Sequence, residues 1–117
     1  MTNPLNVVVL VNLVSAFTYQ ACLLTKDNLK ETGSSFAEAL GNLVLVHGKA
    51  MGIQIIQDVD VPTEPGTRRL LVENYCEGIW QATTMKGEMA YGKSKGEAIG
   101  KILDVYGDKF PWIEIKR

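Results

Sequence analysis

Gly33-Ser34-Ser35-Phe36-Ala37-Glu38-Ala39-Leu40-Gly41 and Gly92-Lys93-Ser94-Lys95-Gly96-Glu97-Ala98-Ile99-Gly100 are the two stretches that decide the fold. They stand 59 residues apart and share Gly, Ser, Glu, Ala and Gly at the same places. Carried on to Gly48 and Gly107, the alignment holds seven identities in sixteen positions. Average composition gives about one. Upstream, Tyr19-Gln20-Ala21 answers Trp80-Gln81-Ala82 at an offset of 61. The difference in offset falls in Thr25–Lys30 against Lys86-Gly87, where a hairpin loop tolerates a change of length. The chain therefore reads as an internal duplication.

Each copy carries the same local physics. Ser35 with Glu38, and Ser94 with Glu97, make S-x-x-E capping boxes. The Ser hydroxyl accepts from the Glu backbone N–H, and the Glu side chain is expected to reach back to the Ser N–H. Gly48 and Gly107 stand where a left-handed C-terminal cap is expected. The spacing predicts helices over Phe36–His47 and Lys95–Tyr106. One face of the first carries Phe36, Leu40, Leu43, Val44 and His47, and one face of the second Ala98, Ile99, Ile102, Leu103 and Tyr106. The glycines Gly41 and Gly100 cost about 1 kcal/mol each mid-helix relative to Ala. With Ala37 and Gly96 they form small flanks suited to close packing of the sister helices on each other or on the sheet, or else to close approach by a partner element.

Strand-like runs precede each helix, over residues 5–14 and 16–24 and over 69–76 and 79–85, with a tight turn at Glu77-Gly78. Shorter strands are expected at 29–32 and 88–91, and one after each helix at 53–61 and 112–116. The order is β-β-(β)-α-β, twice. It implies an α+β fold, antiparallel sheet with helices on one face, as a two-layer pseudo-dimer. Residues 1–117 read as one domain: unit one about 5–61, a Pro/Gly-rich linker 62–67, and unit two 68–117. A single unit of about 50 residues buries too little to stand comfortably alone.

Composition excludes several classes. Hydrophobic residues are 46% of the chain and the net charge is −1, so the chain is globular and has no global positive field for nucleic acid. The charge is nonetheless split: residues 1–67 balance to −3 and residues 68–117 to +2. Cys22 and Cys76 have no metal-ligand spacing and read as reduced thiols in a cytoplasmic protein. The apolar run Val7–Leu13 follows no basic residue and is too short to span a bilayer, so it reads as a strand and not a signal or membrane segment.

No catalytic, cofactor or metal motif is present. His47, the only histidine, reads as a structural aromatic at a helix end, matching Tyr106. Asp58, Asp60 and Glu64 lack the spacing of a cation loop and read as solvated charge. Tyr19 and Trp80 are equivalent strand aromatics that suit core contact, or alternatively the stacking of a small ligand or nucleic acid base. The candidate partner-binding residues are Val7, Val9, Val11, Leu45, Tyr19 and Trp80; the apolar first strand reads as central or as covered by another chain. Ser35, Glu38, Ser94, Glu97, Gly41 and Gly100 form the structural motif.

Gly78-Ile79-Trp80-Gln81-Ala82, followed by Ala90-Tyr91-Gly92-Lys93-Ser94-Lys95-Gly96-Glu97-Ala98-Ile99, resembles the HicB-like antitoxin family in its G-x-aromatic-x-A strand and its G-x-[ST]-x-x-E-A-[IL] helix start. Residues 33–40 echo the second motif. The resemblance covers about a third of the chain. It implies a non-enzymatic protein that masks a small RNA-cleaving toxin. The chain departs from the family in the short segment Met85–Met89. It also ends at Arg117 directly after the last strand, so a DNA-binding segment is not expected. The expected partner is a protein or a second copy of the chain, with no cofactor and no membrane.

Overall fold

A computed structural model of the chain describes residues 7–24, 28–57, 62 and 65–117. Among them the chain runs β1 (Val7–Ser15), β2 (Thr18–Leu23), β3 (Leu29–Gly33), α1 (Phe36–His47) and β4 (Ile53–Ile56). It then repeats the order as β5 (Arg68–Cys76), β6 (Ile79–Thr84), β7 (Met89–Gly92), α2 (Lys95–Val105) and β8 (Ile113–Lys116).

The helices begin where the serines end an extended chain. Ser35 sits at φ −143°, ψ 165° and Ser94 at φ −144°, ψ 163°. The Glu38 backbone N–H donates to Ser35 Oγ at 3.0 Å, and that of Glu97 to Ser94 Oγ at 3.1 Å. The return bond differs from expectation. Glu38 Oε1 accepts from the backbone N–H of Ser34 at 2.7 Å, and Glu97 Oε1 from that of Lys93 at 2.8 Å. Each is one residue before the cap, because the extended serine turns the preceding N–H toward the first helical turn.

The helix ends also differ. Gly48 has φ −55° and leads into a 3₁₀ turn over Gly48–Met51, and Gly52, at φ 72°, takes the left-handed position. Gly48 is there for closeness: a Cβ on it would lie 2.8 Å from the Ile53 carbonyl oxygen. Tyr106 closes α2, and Gly107 opens a second 3₁₀ turn over Gly107–Lys109.

The described residues form two four-stranded sheets, ordered β3-β2-β1-β8 and β4-β5-β6-β7. The first three strands of each half pair antiparallel, as expected. The strand after each helix corrects the all-antiparallel expectation. β8 lies parallel to β1, with Val7 opposite Ile113, and β4 lies parallel to β5, with Ile55 opposite Leu70. Both sheets are therefore mixed, and each is completed by a strand from the other half of the chain. The physical reason is the helix itself, which carries the chain across before the last strand pairs.

The core is one cluster. Val9, Val11, Ala21 and Leu23 meet Leu40, Leu43 and Val44 of α1; Leu70, Val72 and Ala82 meet Ile99, Ile102 and Leu103 of α2. Met51 and Phe110, each on a 3₁₀ turn or just after it, are buried at matching places. The helices touch through Gly41, Gly96 and Gly100. The folded chain measures 42 × 39 × 22 Å.

The strand expected over 53–61 stops at Ile56; residues 58–61 lie outside the described residues, as do Glu64 and part of the linker. Asp58, Asp60 and Glu64 are therefore not placed. Pro62 is: its carbonyl accepts a hydrogen bond from the Gln54 amide at 2.9 Å. Among the described residues no helix is long and apolar enough to cross a membrane.

Candidate functional site

Strand alternation gives each sheet a face toward the helices and an open face. In the second sheet Val72, Ala82 and Ala90 point inward and are buried. Their neighbours must then face outward: Leu71 and Glu73 on β5, Gln81 and Thr83 on β6, Met89 and Tyr91 on β7. The register sets Glu73 opposite Gln81, Gln81 opposite Tyr91 and Thr83 opposite Met89.

Tyr75, at the irregularity between Asn74 and Cys76, leans onto this face. Its ring meets that of Tyr91 edge to face, centroids 5.0 Å apart at 66°. Gln81 ties the patch together. Its amide nitrogen lies 2.9 Å from Met89 Sδ and 3.3 Å from Tyr91 Oη. Tyr75 is 61% exposed, Met89 47% and Tyr91 40%. Large apolar side chains grouped on one open face, held in place by each other, are unusual for a surface with no partner.

The first sheet does not share this feature. Its open face carries Val8 and Leu10, both half-buried, and, at the positions matching Glu73, Gln81, Thr83, Met89 and Tyr91, it has Asn12, Gln20, Cys22, Lys30 and Thr32. The patch thus belongs to one half only. Chemically it offers two rigid rings, a deformable thioether, one amide and the rim carboxylate of Glu73. That set suits burial against another surface, with aromatic anchors and few polar demands.

The residues anticipated as partner-binding fall elsewhere. Val7, Val9 and Val11 are 4%, 0% and 2% exposed and face the helices, so they cannot offer themselves to a partner. Of the two readings of this apolar strand, central or covered by another chain, the structure shows the first: β1 is an inner strand of its sheet, and it leaves Val8 and Leu10 half-buried on the open face. Leu45 is half-buried and lines an open groove of about 520 Å³ between the end of α1 and β4, with Val44, His47, Ile53 and Ile55. His47 Nε2 stands 3.2 Å from Glu31 Oε2, joining the end of α1 to the edge strand β3.

Tyr19 and Trp80 lie on the inner faces of different sheets and are not brought together. Each stands opposite a glycine, Gly33 and Gly92 respectively, and packs against the core. The Lys95 ammonium sits 4.9 Å from the Trp80 ring centre. Both rings are half-buried. Cys22 is half-buried, Cys76 is exposed, and both are free. Among the described residues no three His, Cys, Asp or Glu side chains are grouped to hold a metal.

Glu38 has a role beyond its own helix. Its Oε2 accepts from Ser94 Oγ, the cap of the other helix, at 2.8 Å. The Ser34 N–H and the Ser94 hydroxyl together hold its carboxyl below the ordinary value, against the opposing effect of burial.

Sequence reasoning passed over Tyr75, Met89 and Tyr91. The signal was present: once Val72, Ala82 and Ala90 are taken as inward, a period of two sends Tyr91, Met89 and Gln81 outward. Comparison of the chain with family models, with curated proteins and with solved structures finds no match.

Proposed function

We propose that this chain is a non-catalytic binding protein of HicB-like fold, a duplicated two-layer pseudo-dimer in one polypeptide, that masks a protein partner with the open face of its second sheet. The observation that carries the reading is the Tyr75–Met89–Tyr91 patch, exposed, internally organised and present in one half only. An aromatic and thioether cluster of this kind gains most when another surface removes it from water, at about 25 cal/mol per Å² of apolar area.

Three observations support the duplicated architecture. The halves share seven identities over one sixteen-residue stretch. Their helix caps agree in φ and ψ within a few degrees. β2 and β6 bury their residues in the same sequence along the strand. The thin dimension of 22 Å suits one sheet layer packed on one helix layer at about 10 Å separation. On this reading the second half carries the binding face, and the first half supplies β4, the strand that completes its sheet.

The test is identification of a partner from the source cells by affinity purification with the intact chain, followed by a binding titration of that purified partner. Tyr75→Ala with Tyr91→Ala must weaken the titrated complex at least about tenfold while leaving the melting curve in place. A partner bound equally well by the double variant refutes this face as the binding surface.

A further inference from the structure

At the other end of the second sheet lies a cavity of about 150 Å³, lined by Arg68, Thr84, Lys86, Glu88, Lys109 and Phe110 among others. Its frame is rigid. The Thr84–Gly87 turn is closed by a Gly87 N–H bond to the Thr84 carbonyl at 3.0 Å, and Glu88 returns a carbonyl to the Thr84 N–H at 2.9 Å. Phe110, 1% exposed, forms the floor. The Arg68 backbone is tied to Gly52 at 2.8 Å, and its guanidinium donates from Nη1 to the Lys109 carbonyl at 2.9 Å. That guanidinium also lies 5.2 Å from the Trp112 ring centre.

Three cations from three segments thus line one small space, with the single carboxylate of Glu88 between them. Glu88 accepts from the Thr84 hydroxyl and stands 3.9 Å from the Lys109 ammonium. Asp108 touches Lys109 from the exposed side at 4.0 Å. The Thr84 hydroxyl, and then the charges of Lys109 and Lys86, hold the Glu88 carboxyl below its ordinary value. The lining keeps a positive excess that its own acids do not cancel.

The fold does not demand these charges. Where β5 begins with Arg68, β1 begins with Val7. Where β6 ends at Thr84 and Met85 follows, β2 ends at Leu23 and Leu24 follows. Lys109-Phe110 stands where the first half has Ala50-Met51. At these described positions the first half is apolar, so Arg68 and Lys109 are particular to the corner of the second sheet.

We propose that this corner binds a small oxyanion of the phosphate class, with Arg68, Lys86 and Lys109 as its donors. A volume of about 150 Å³ exceeds the roughly 30 Å³ of one water several times over and admits a phosphoryl group. Guanidinium and ammonium donors suit its oxygens, singly charged and doubly charged alike. Glu88 faces both lysines and offsets part of their charge, so an incoming anion competes with it.

Trp112 provides the readout, since the guanidinium beside its ring is one of the three donors. The full chain carrying Trp80→Phe has Trp112 as its sole tryptophan. Inorganic phosphate, methyl phosphate and chloride are titrated into it at matched ionic strength, with fluorescence and calorimetric heat both recorded. Saturable binding of phosphate or methyl phosphate, without saturation by chloride, is expected. Lys86→Gln should weaken it about tenfold with an unchanged melting curve, and Glu88→Gln should tighten it severalfold. Stronger binding of methyl phosphate identifies a phosphate ester as the ligand class; stronger binding of inorganic phosphate identifies the free anion. Absence of saturation in both signals, or equal binding by Lys86→Gln and the parent chain, overturns the proposal.

Discussion

Gly41 of the first helix lies directly against the backbone of Gly96 in the second: a Cβ on Gly41 would overlap the Gly96 carbonyl and fall 2.7 Å from the Gly100 nitrogen. The relationship is reciprocal, since a Cβ on Gly100 would overlap the Ala37 carbonyl. Neither obstacle is the movable end of a side chain, so the helices meet backbone to backbone. The helix cost of each glycine is what permits this approach.

Alanine at Gly41 or Gly100 should therefore destabilise the protein by about 2–4 kcal/mol, even though Ala gains about 1 kcal/mol in helix propensity. Gly107→Ala is the control, because a Cβ there meets nothing within 4 Å. It should shift stability by less than about 1 kcal/mol. Urea denaturation of the three variants checks both statements.

Glu38 links the caps of the two helices, which makes stability depend on pH with a definite sign. Its carboxyl lies below the ordinary value near 4.5 in the folded state, chiefly through the Ser34 N–H and then the Ser94 hydroxyl. A carboxyl lowered on folding stabilises above its unfolded value, and that contribution is lost as pH falls through the folded value. The parent chain should lose stability as pH drops below about 4.5, and Glu38→Gln should lose less over the same window. At pH 7, Glu38→Gln should cost about 1–2 kcal/mol. Thermal melts from pH 7 to pH 3 provide the measurement.

Tyr75, Met89 and Tyr91 should behave as surface residues for stability and as central residues for binding. Tyr75→Ala removes a ring pair worth about 0.5–1.5 kcal/mol at most. The same change, alone or with Met89→Ala, should reduce partner affinity by an order of magnitude or more. Parallel melting curves and binding titrations separate the two effects.

The exchanged strands predict how the chain behaves when cut. β4 completes the second sheet and β8 the first. Fragments 1–61 and 62–117 should each be largely unfolded alone and should form a one-to-one complex with recovered helical signal on mixing. Circular dichroism of the separate and mixed fragments tests this. A fragment that folds alone with full helicity would show that strand exchange is dispensable.

Most of the elements were legible from residue patterns. The serine caps placed the start of both helices to the residue, and alternation placed eight strands within a few positions. Legibility failed where a residue answers to something distant in sequence. Gly48 and Gly107 look like left-handed caps because they follow the last apolar position, yet Gly48 serves a close approach to Ile53 and the left-handed turn falls at Gly52. Val7, Val9 and Val11 look available because the whole run is apolar, yet the helices take that face.

The candidate site was less legible for the same reason. Tyr19 and Trp80 stand out by matching across the two halves, and residues that match tend to serve what the halves have in common. Tyr75, Met89 and Tyr91 have no such match, and they meet only when β5, β6 and β7 come into register.

The residues by themselves determined the serine caps at the helix starts, the helix lengths to within a residue and the alternation of each strand, because these rest on contacts within a few positions of the chain. Tertiary structure alone decided three things: that the last strand of each half crosses to the other sheet, that the helices meet at Gly41 and Gly96, and that one sheet face gathers an exposed aromatic patch. Each is a pairing between segments tens of residues apart. Its free energy comes from packing and strand register, which no local stretch of sequence contains.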